Sequence, residues 1–511
     1  MQKNSILFIV FSIFTISCWY FLFTPKQQKS IKPQRTTFSD VKSIDSKKDY
    51  KKHCTMPYNE ELINIETDSY KAVLTTKGAS VLSWTIKEKN GKWVNLVPKE
   101  STPVMANLPE INYKVVSKTN KEIVFEYKSM EGWKIVKTYS LSSLYMHNLK
   151  IYIERNSATV LFPKIKLEWG PGLGTDSKEM KENITLTRAL AYTEVKPNKL
   201  KKLKNNSETS ALYKWVAIDN RYFLVAFIPE NPSDFDKIIS SKPDKKHPYS
   251  VTITTPHLEE NNKKNYSINF YLGPKGYTCL KSYRLGLEKT IDFGFFGFLG
   301  KIAFASLALL YNITHNYGWA IVMLTAIIQF LVLPLTLKSF KSTAVMKEIQ
   351  PIIKDIQIKY KDNPRRLQAE MLNAYKSQKI NPLGGCLPML LQLPIFWAFF
   401  TVLRNTYELR NEGWMLWIKD LSAPDQFMHL GSFNFNLLPL IMGIGMFFQQ
   451  KMTALTSDPT QNKIMYITPI LFIFMFWAFP SGLVLYWITN SVISMIEQYF
   501  VIKKSTPAHI Q

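Results

Sequence analysis

Thr325 and Gln329 stand four residues apart in the apolar run "LTAIIQFLVLPLT" (Leu324–Thr336), and the chemistry they offer is hydrogen bonding. Gln brings two N–H donors and a carbonyl acceptor, Thr a hydroxyl, and neither brings charge. An amide without partners in hydrocarbon costs several kcal/mol. Two readings of Gln329 follow: it bonds a neighbouring helix, or it lines a wet cavity. Thr325 shares its helix face and either back-bonds to its own helix or faces the same cavity. Residue types for bond-making chemistry lack the required arrangement. The seven histidines are scattered, and the four cysteines show no metal-ligand spacing. "GPGLGT" (Gly170–Thr175) lacks the Lys-Ser/Thr of a phosphate loop and reads as a turn. These patterns carry no expectation of catalytic residues, a metal or a cofactor.

The elements that must hold these residues divide the 511-residue chain in two. From Pro25 to about Glu288 it is rich in Lys, Asn, Thr and Ser. From Ile291 onward, apolar stretches of membrane-spanning length alternate with short polar connections. The net charge of +25 does not point to nucleic acid, because the lysines are scattered and no zinc-finger, helix-turn-helix or RNA-recognition signature accompanies them. Basic loops beside spans account for part of it. "SILFIVFSIFTISCWYFLF" (Ser5–Phe23) is uncharged and long enough to span, and it lacks the short core and small-residue cleavage site of a signal peptide. Residues 1–24 are thus expected to form an uncleaved signal anchor, followed by a polar linker over 25–57. Cys18 and Cys386 fall in or beside spans. Cys54 and Cys279 fall in the soluble region, where an extracytoplasmic setting permits a disulfide without requiring one.

Over 58–288 the pattern alternates with period two. Ile123, Phe125 and Tyr127 alternate with Glu122, Glu126 and Lys128, and Leu149, Ile151 and Ile153 with Lys150, Tyr152 and Glu154. Tyr266, Ile268, Phe270 and Leu272 repeat the pattern. Such runs, punctuated by turn residues, predict half-buried antiparallel strands in a β-sandwich. "KPNKLKKLKN" (196–205) reads as a solvated basic loop or a patch facing anionic headgroups.

Near Ile291 the period changes. Phe295, Leu299, Ile302, Ala303, Leu307 and Leu310 recur at helical spacing opposite Lys301, which predicts an interfacial helix over 291–313. Spans follow at about 317–336, 383–403, 433–448, 464–479 and 483–501. Residues 338–380 read as a helical hairpin. Val345, Ile349, Ile352, Ile356 and Tyr360 mark its first helix, "KDNP" the break, and Leu367, Met371 and Ala374 the second. Its excess of Lys338, Lys341, Lys347, Arg365, Arg366, Lys376 and Lys379 assigns it to the cytoplasm. The flanks of the first span, with Lys3 before it and Lys26, Lys29, Lys32 and Arg35 after, argue the reverse. Six spans with a cytoplasmic hairpin put both termini inside, a short tail at 505–511, and the β-domain outside.

The segments "NPLGGCLPMLLQLPIFWAFF" (381–400), "ELR" (408–410), "LWIKDLSAPD" (416–425), "DPTQNKIM" (458–465) and "FPSGLVLYW" (479–487) match a known pattern in order and spacing. With them the chain resembles the YidC/Oxa/Alb family of membrane protein insertases, in the form found in Gram-negative bacteria. The likeness runs from Phe293 to Val501. In the β-domain it rests on "WVAIDNRYFLVAFIP" (215–229) and "YLGPK" (271–275). It implies an α-helical polytopic membrane protein of six spans, with a large periplasmic β-supersandwich domain of mutarotase-like type and a cytoplasmic helical hairpin. The insertase core would occupy 289–504, in a bacterial inner membrane.

In the resembled family the core helices enclose a hydrophilic groove open to cytoplasm and lipid and closed to the periplasm. Its first span commonly carries an Arg within "T-x-x-x-R-x-x-x-x-P-L-T". Thr325, Pro334, Leu335 and Thr336 match, and Gln329 stands in the Arg position. The resemblance thus implies a polar groove at Gln329, Thr325 and Trp487, without an electrostatic trap. Thr325 and Trp487 retain the alternatives of a helix back-bond and an interface anchor. Arg404 lies near the outer end of its span. Pro394, Phe396, Phe400, Pro469, Phe472 and Phe476 resemble the family's apolar slide, and Lys347, Arg365, Arg366 and Lys376 its basic hairpin. The implied partners are nascent membrane proteins, the Sec translocon, the ribosome or targeting factors, and lipids, with no nucleic acid beyond the ribosome. A polytopic transporter is the rival reading, opposed by the lack of intramembrane Asp or Glu and of any internal repeat. A membrane-anchored sugar-binding or sugar-active protein is the second, opposed by the scattered histidines.

Overall fold

The computed structural model describes residues 60–98, 101, 103–106, 108, 111–130, 132–156, 164–174, 184–195, 199–242, 248–256, 263–377, 387–430, 433–453 and 459–505. The expected signal anchor, the linker, Cys18, Cys54, Cys386 and residues 506–511 of the tail lie outside them. The chain forms two compact units, residues 93–273 with those before 89, and residues 274–511 with 89–92.

The first unit is built from the alternating runs. A nine-stranded sheet has the order Lys199–Lys202, Arg188–Thr193, Trp215–Asp219, Phe223–Pro229, Lys263–Pro274, Met146–Arg155, Trp133–Ser140, Glu122–Lys128 and Lys114–Lys118. Strict alternation along Trp133–Ser140 buries Trp133, Ile135, Lys137 and Tyr139 on one face, as period-two side chains require. A four-stranded sheet, Leu62–Glu66, Tyr70–Thr75, Ser80–Lys87 and Trp93–Asn95, supplies an opposing layer. Trp84 stacks on Tyr70 at 4.8 Å and meets His147 and Phe270 of the larger sheet at 4.8 and 6.3 Å. Lys137 is an apolar-core position filled by an ammonium. Its Nζ donates to the carbonyls of Ala79 (2.7 Å), Met105 (2.7 Å) and Gly78 (3.3 Å), tying two loops to the sheet. A further four-stranded sheet joins Ser207–Thr209, Lys237–Ser241, Ser250–Thr254 and Lys166–Trp169.

The second unit is helical: α1 (Tyr277–Ser282), α2 (Gly297–Thr314), α3 (Tyr317–Glu348), α4 (Gln350–Lys359), α5 (Pro364–Ser377), α6 (Leu387–Asn405), α7 (Leu437–Thr453), α8 (Pro459–Phe476) and α9 (Ser481–Ser505). α2 begins at Gly297 rather than 291, because Gly294 takes φ +73° and donates its N–H to Asp292 Oδ1 at 2.9 Å. Asn316 caps α3, its Oδ1 accepting from Gly318 (2.9 Å) and Trp319 (3.2 Å) N–H groups.

Other boundaries also differ from the sequence reading. α3 does not end near Thr336 but runs through Pro334 to Glu348. The expected single helix over Val345–Tyr360 is therefore in two pieces, broken at Ile349. Pro351 has no N–H, and its ring opposes the carbonyl four residues earlier. The "KDNP" break is present, with Asn363 Oδ1 accepting from Arg366 N–H at 3.1 Å at the start of α5. Residues 433–435 form a strand paired with Met428–Leu430, so α7 starts only at Leu437.

Among the described helices, Gly297–Thr314 and Tyr317–Ser342 are long and apolar enough to cross a membrane, and Tyr466–Phe476 is a shorter apolar stretch. Their outward faces carry large bare side chains. Phe330 is 74% exposed, Leu331 72% and Phe474 73%. Apolar surface of this extent needs a partner other than water.

Candidate functional site

α3, α6 and α9 each place one amide at a common point. On α9, Tyr486, Asn490 and Ser494 recur every four residues and so share a face. Gln329 of α3, only 4% exposed, donates its Nε2 to Asn490 Oδ1 and, at 3.5 Å, to Ser494 Oγ. Gln392 of α6 donates to the same Asn490 Oδ1 at 3.2 Å and to the Tyr486 hydroxyl. Both lone pairs of one carbonyl are thus shared between two other helices. The Oε1 atoms of Gln329 and Gln392 and the Nδ2 of Asn490 have no partner among the described residues. These five side chains carry no formal charge. What they can do is exchange hydrogen bonds with water or a passing backbone.

Gln329 bonds a neighbouring helix through Asn490 and Ser494, and Gln392 and Tyr486 complete the network; the sequence reading passed over all four. The missed signal was the same as Gln329's own, an amide within an apolar run, in "LLQLP" and "YWITNS". Thr325 is fully buried and donates to the Ile321 carbonyl of its own helix at 2.7 Å. Trp487 lies on another face of α9, against Phe396 (5.5 Å), Phe472 (5.6 Å) and Phe476 (5.3 Å).

Around Trp487 the apolar candidates come together from α6 and α8. Phe396 approaches Phe476 at 6.1 Å and Phe400 at 6.5 Å, while Phe472 stacks on Phe476 at 5.9 Å. Phe476 is fully buried at the centre of this array, and Phe396 and Phe472 are half-buried. Pro394 and Pro469 sit within α6 and α8. Arg404 lies in the last turn of α6 with its guanidinium 5.5 Å from the Phe400 ring. It is twelve residues from Gln392, about 18 Å along the helix, and supplies no charge to the amides. The basic candidates fall on two helices, α3 and α5. Arg365 and Arg366 are exposed at the start of α5, Arg366 over Tyr360 at 5.4 Å, and Lys376 is exposed near its end. Lys347 lies in α3. Among the described residues no group of three His, Cys, Asp or Glu is placed to hold a metal.

An uncharged polar network inside a helical unit with bare apolar outer faces, on a chain that also folds a large β-domain, defines a membrane protein with a large β-sheet domain. Comparison with known proteins sharpens the class. A family model described as "60Kd inner membrane protein" matches residues 309–508, and one described as "YidC periplasmic domain" matches residues 62–306. The membrane protein insertase YidC of Endomicrobium trichonymphae is 66% identical over 520 residues, covering 100% of both chains. That of Syntrophus aciditrophicus is 34% identical over 476 residues, covering 87% of this chain and 86% of its own. That of Geotalea uraniireducens is 31% identical, covering 99% and 100%. The chain belongs to the YidC family of membrane protein insertases, as an inner-membrane protein with a periplasmic β-sheet domain.

Proposed function

We propose that this protein inserts newly made membrane proteins into the inner membrane and assists their folding, and that the amide network of Gln329, Gln392 and Asn490 is the polar floor of its groove. The observation that carries the reading is three amides from three helices converging within a unit whose outside is apolar. Moving a polar flank of a client through hydrocarbon is the barrier to insertion, because every backbone group entering lipid loses its water. A groove that supplies water and hydrogen-bonding side chains over part of the path shortens the apolar stretch. Burial of the client's own apolar helix then drives the process. The aromatic array around Trp487 lies on the neighbouring face of α9 and offers that helix an apolar route toward lipid.

The finer topology in this reading is six spans with both termini in the cytoplasm, the hairpin of α4 and α5 on the same side, and loop 406–436 facing the periplasm. Basic residues of the hairpin would meet ribosome, targeting factors or anionic lipid at the groove mouth. The Sec translocon is a second partner for larger clients. Because the network carries no charge, it attracts acidic and neutral client segments alike.

The test is insertion of a small one-span client into proteoliposomes by wild type, Gln329→Leu and Gln329→Arg, with acidic and neutral translocated tails. Gln329→Leu is expected to slow insertion by roughly tenfold, equivalent to about 1.4 kcal/mol of barrier, and wild type to treat the two tails equally. Equal rates for wild type and Gln329→Leu would overturn the role given to the amides. No insertion by wild type, with or without Sec, would overturn the function.

A further inference from the structure

We propose that Leu421 is the apolar plug that seals the groove at its outer end, seated in a notch that Gly482 leaves in α9; the proposal rests on the groove reading above. Leu421 belongs to the loop between α6 and α7 and is fully buried. A Cβ on Gly482 would lie 3.0 Å from the Leu421 carbonyl oxygen, 3.5 Å from the Leu421 Cβ and 3.2 Å from Ile321 Cδ1. Leu421 therefore lies where the first turns of α3 and α9 converge, against a residue with no side chain.

That point is in line with the amides. Ile321, Thr325 and Gln329 follow at four-residue steps on α3, and Gly482, Tyr486 and Asn490 on α9. Eight residues of helix place the plug about 12 Å outward of the amides Gln329 and Asn490 on both helices. Thr325 bonds its own backbone, and Tyr486, the outermost network member on α9, stacks its ring on Phe399 at 4.6 Å, so on that helix the plug lies four residues, about 6 Å, from the nearest network side chain.

The loop is fixed in this position by more than packing. Gly482 N–H donates to the Leu421 carbonyl (3.0 Å), Ser481 N–H to the Ala423 carbonyl (2.8 Å), and Ser481 Oγ to the Asp420 carbonyl (2.7 Å). Leu421 N–H donates to the Glu412 carbonyl at 2.8 Å. Asp420 Oδ1 accepts from the N–H and hydroxyl of Ser422, both at 2.8 Å, and from Asn411 N–H at 3.2 Å. Further along the loop Trp414 packs on Gly318, where a Cβ would stand 2.2 Å from its ring, and Asn316 Nδ2 reaches the Gly413 and Trp414 carbonyls at 3.5 Å. An apolar side chain held by this many backbone bonds over a polar cluster excludes water from one end of it.

The test places a single thiol in the network, Ser494→Cys in a full-length chain otherwise free of cysteine, in membrane vesicles of either orientation. A small membrane-impermeant methanethiosulfonate is added from one side at a time. With Leu421 intact, labelling is expected from the cytoplasmic side only. With Leu421→Ala, labelling from the outer side is expected to rise by roughly tenfold or more, while Leu421→Met, which conserves volume, stays protected. If Leu421→Ala fails to fold, Leu421→Val takes its place and is expected to give a smaller rise in the same direction. Labelling from inside, with no outer entry in a folded Leu421→Ala or Leu421→Val protein, overturns the seal and leaves the groove standing. No labelling from inside overturns the groove, and the seal with it.

Discussion

Asn490 is the acceptor on which two helices converge, so a double-mutant cycle with Gln329 measures the network directly. Interhelical hydrogen bonds in membranes average about 0.6 kcal/mol and reach about 1.7, because the unfolded chain in lipid also finds partners. Gln329 is 4% exposed and both hydrogens of its Nε2 have acceptors on α9, which puts this pair in the upper half of that range. The expected coupling between Gln329→Leu and Asn490→Leu is therefore about 1–1.7 kcal/mol. Asn490→Leu alone removes the acceptor of both Gln329 and Gln392 and leaves two donors without it, at a cost of about 1–3 kcal/mol. Unfolding of the wild type, the two single variants and the double variant in mixed micelles of mild detergent and dodecyl sulfate supplies the four free energies. A coupling below about 0.3 kcal/mol, the additivity of unconnected sites, refutes the pairing of α3 with α9 through these amides.

Two predictions concern the supports of the site and of the β-domain. Asp425 Oδ2 accepts from the first N–H groups of α7, Leu437 (2.8 Å) and Leu438 (3.1 Å), and from Trp417 Nε1 (3.0 Å); Asp425→Ala is expected to cost about 1–2 kcal/mol in the same micelle assay, and Asp425→Asn less, since both types cap helices well. Burial pushes the Lys137 ammonium down to about 7 from its usual value. A base held more weakly in the folded state destabilises it where it must be protonated. Exchange protection of the strand amides should accordingly increase as pH rises from about 7 toward the ordinary lysine range near 10.4. In Lys137→Met this slope should flatten, and an unchanged slope would show that Lys137 is not its source.

The β-domain was legible because its strands obey one rule. Glu122–Lys128 buries Ile123 and Phe125 and turns Glu122 and Lys128 out, as its alternation requires, and Met146–Arg155 does the same with Leu149, Ile151 and Ile153. Lys137 could not be anticipated. It sits at a buried position of an alternating strand, and only the fold brings three carbonyls to it. Helix ends were less legible than helices. The period of α3 runs through Pro334 because a proline lacks one bond without ending a helix whose neighbours hold it. Pro351, sited just past the end of α3, coincides with a break instead.

For the site, composition located one member and hid its partners. Gln329 drew attention as an amide in hydrocarbon, yet Gln392 and Asn490 satisfy the same criterion. The difference is that a partner is a property of two helices at once, and 161 residues separate Gln329 from Asn490. The family resemblance assigned Trp487 to the groove, with an interface anchor as the alternative; on α9 its neighbour Tyr486 turns toward Gln392, while Trp487 packs among phenylalanines. One residue of offset on α9 rotates a side chain by about 100°, enough to separate a polar face from an apolar one. In the function proposed above, the two faces of α9 divide the work: Asn490 and Ser494 are assigned the polar path and Trp487 the border of the apolar one, so that a client segment leaving the first would meet the second without travelling along the helix.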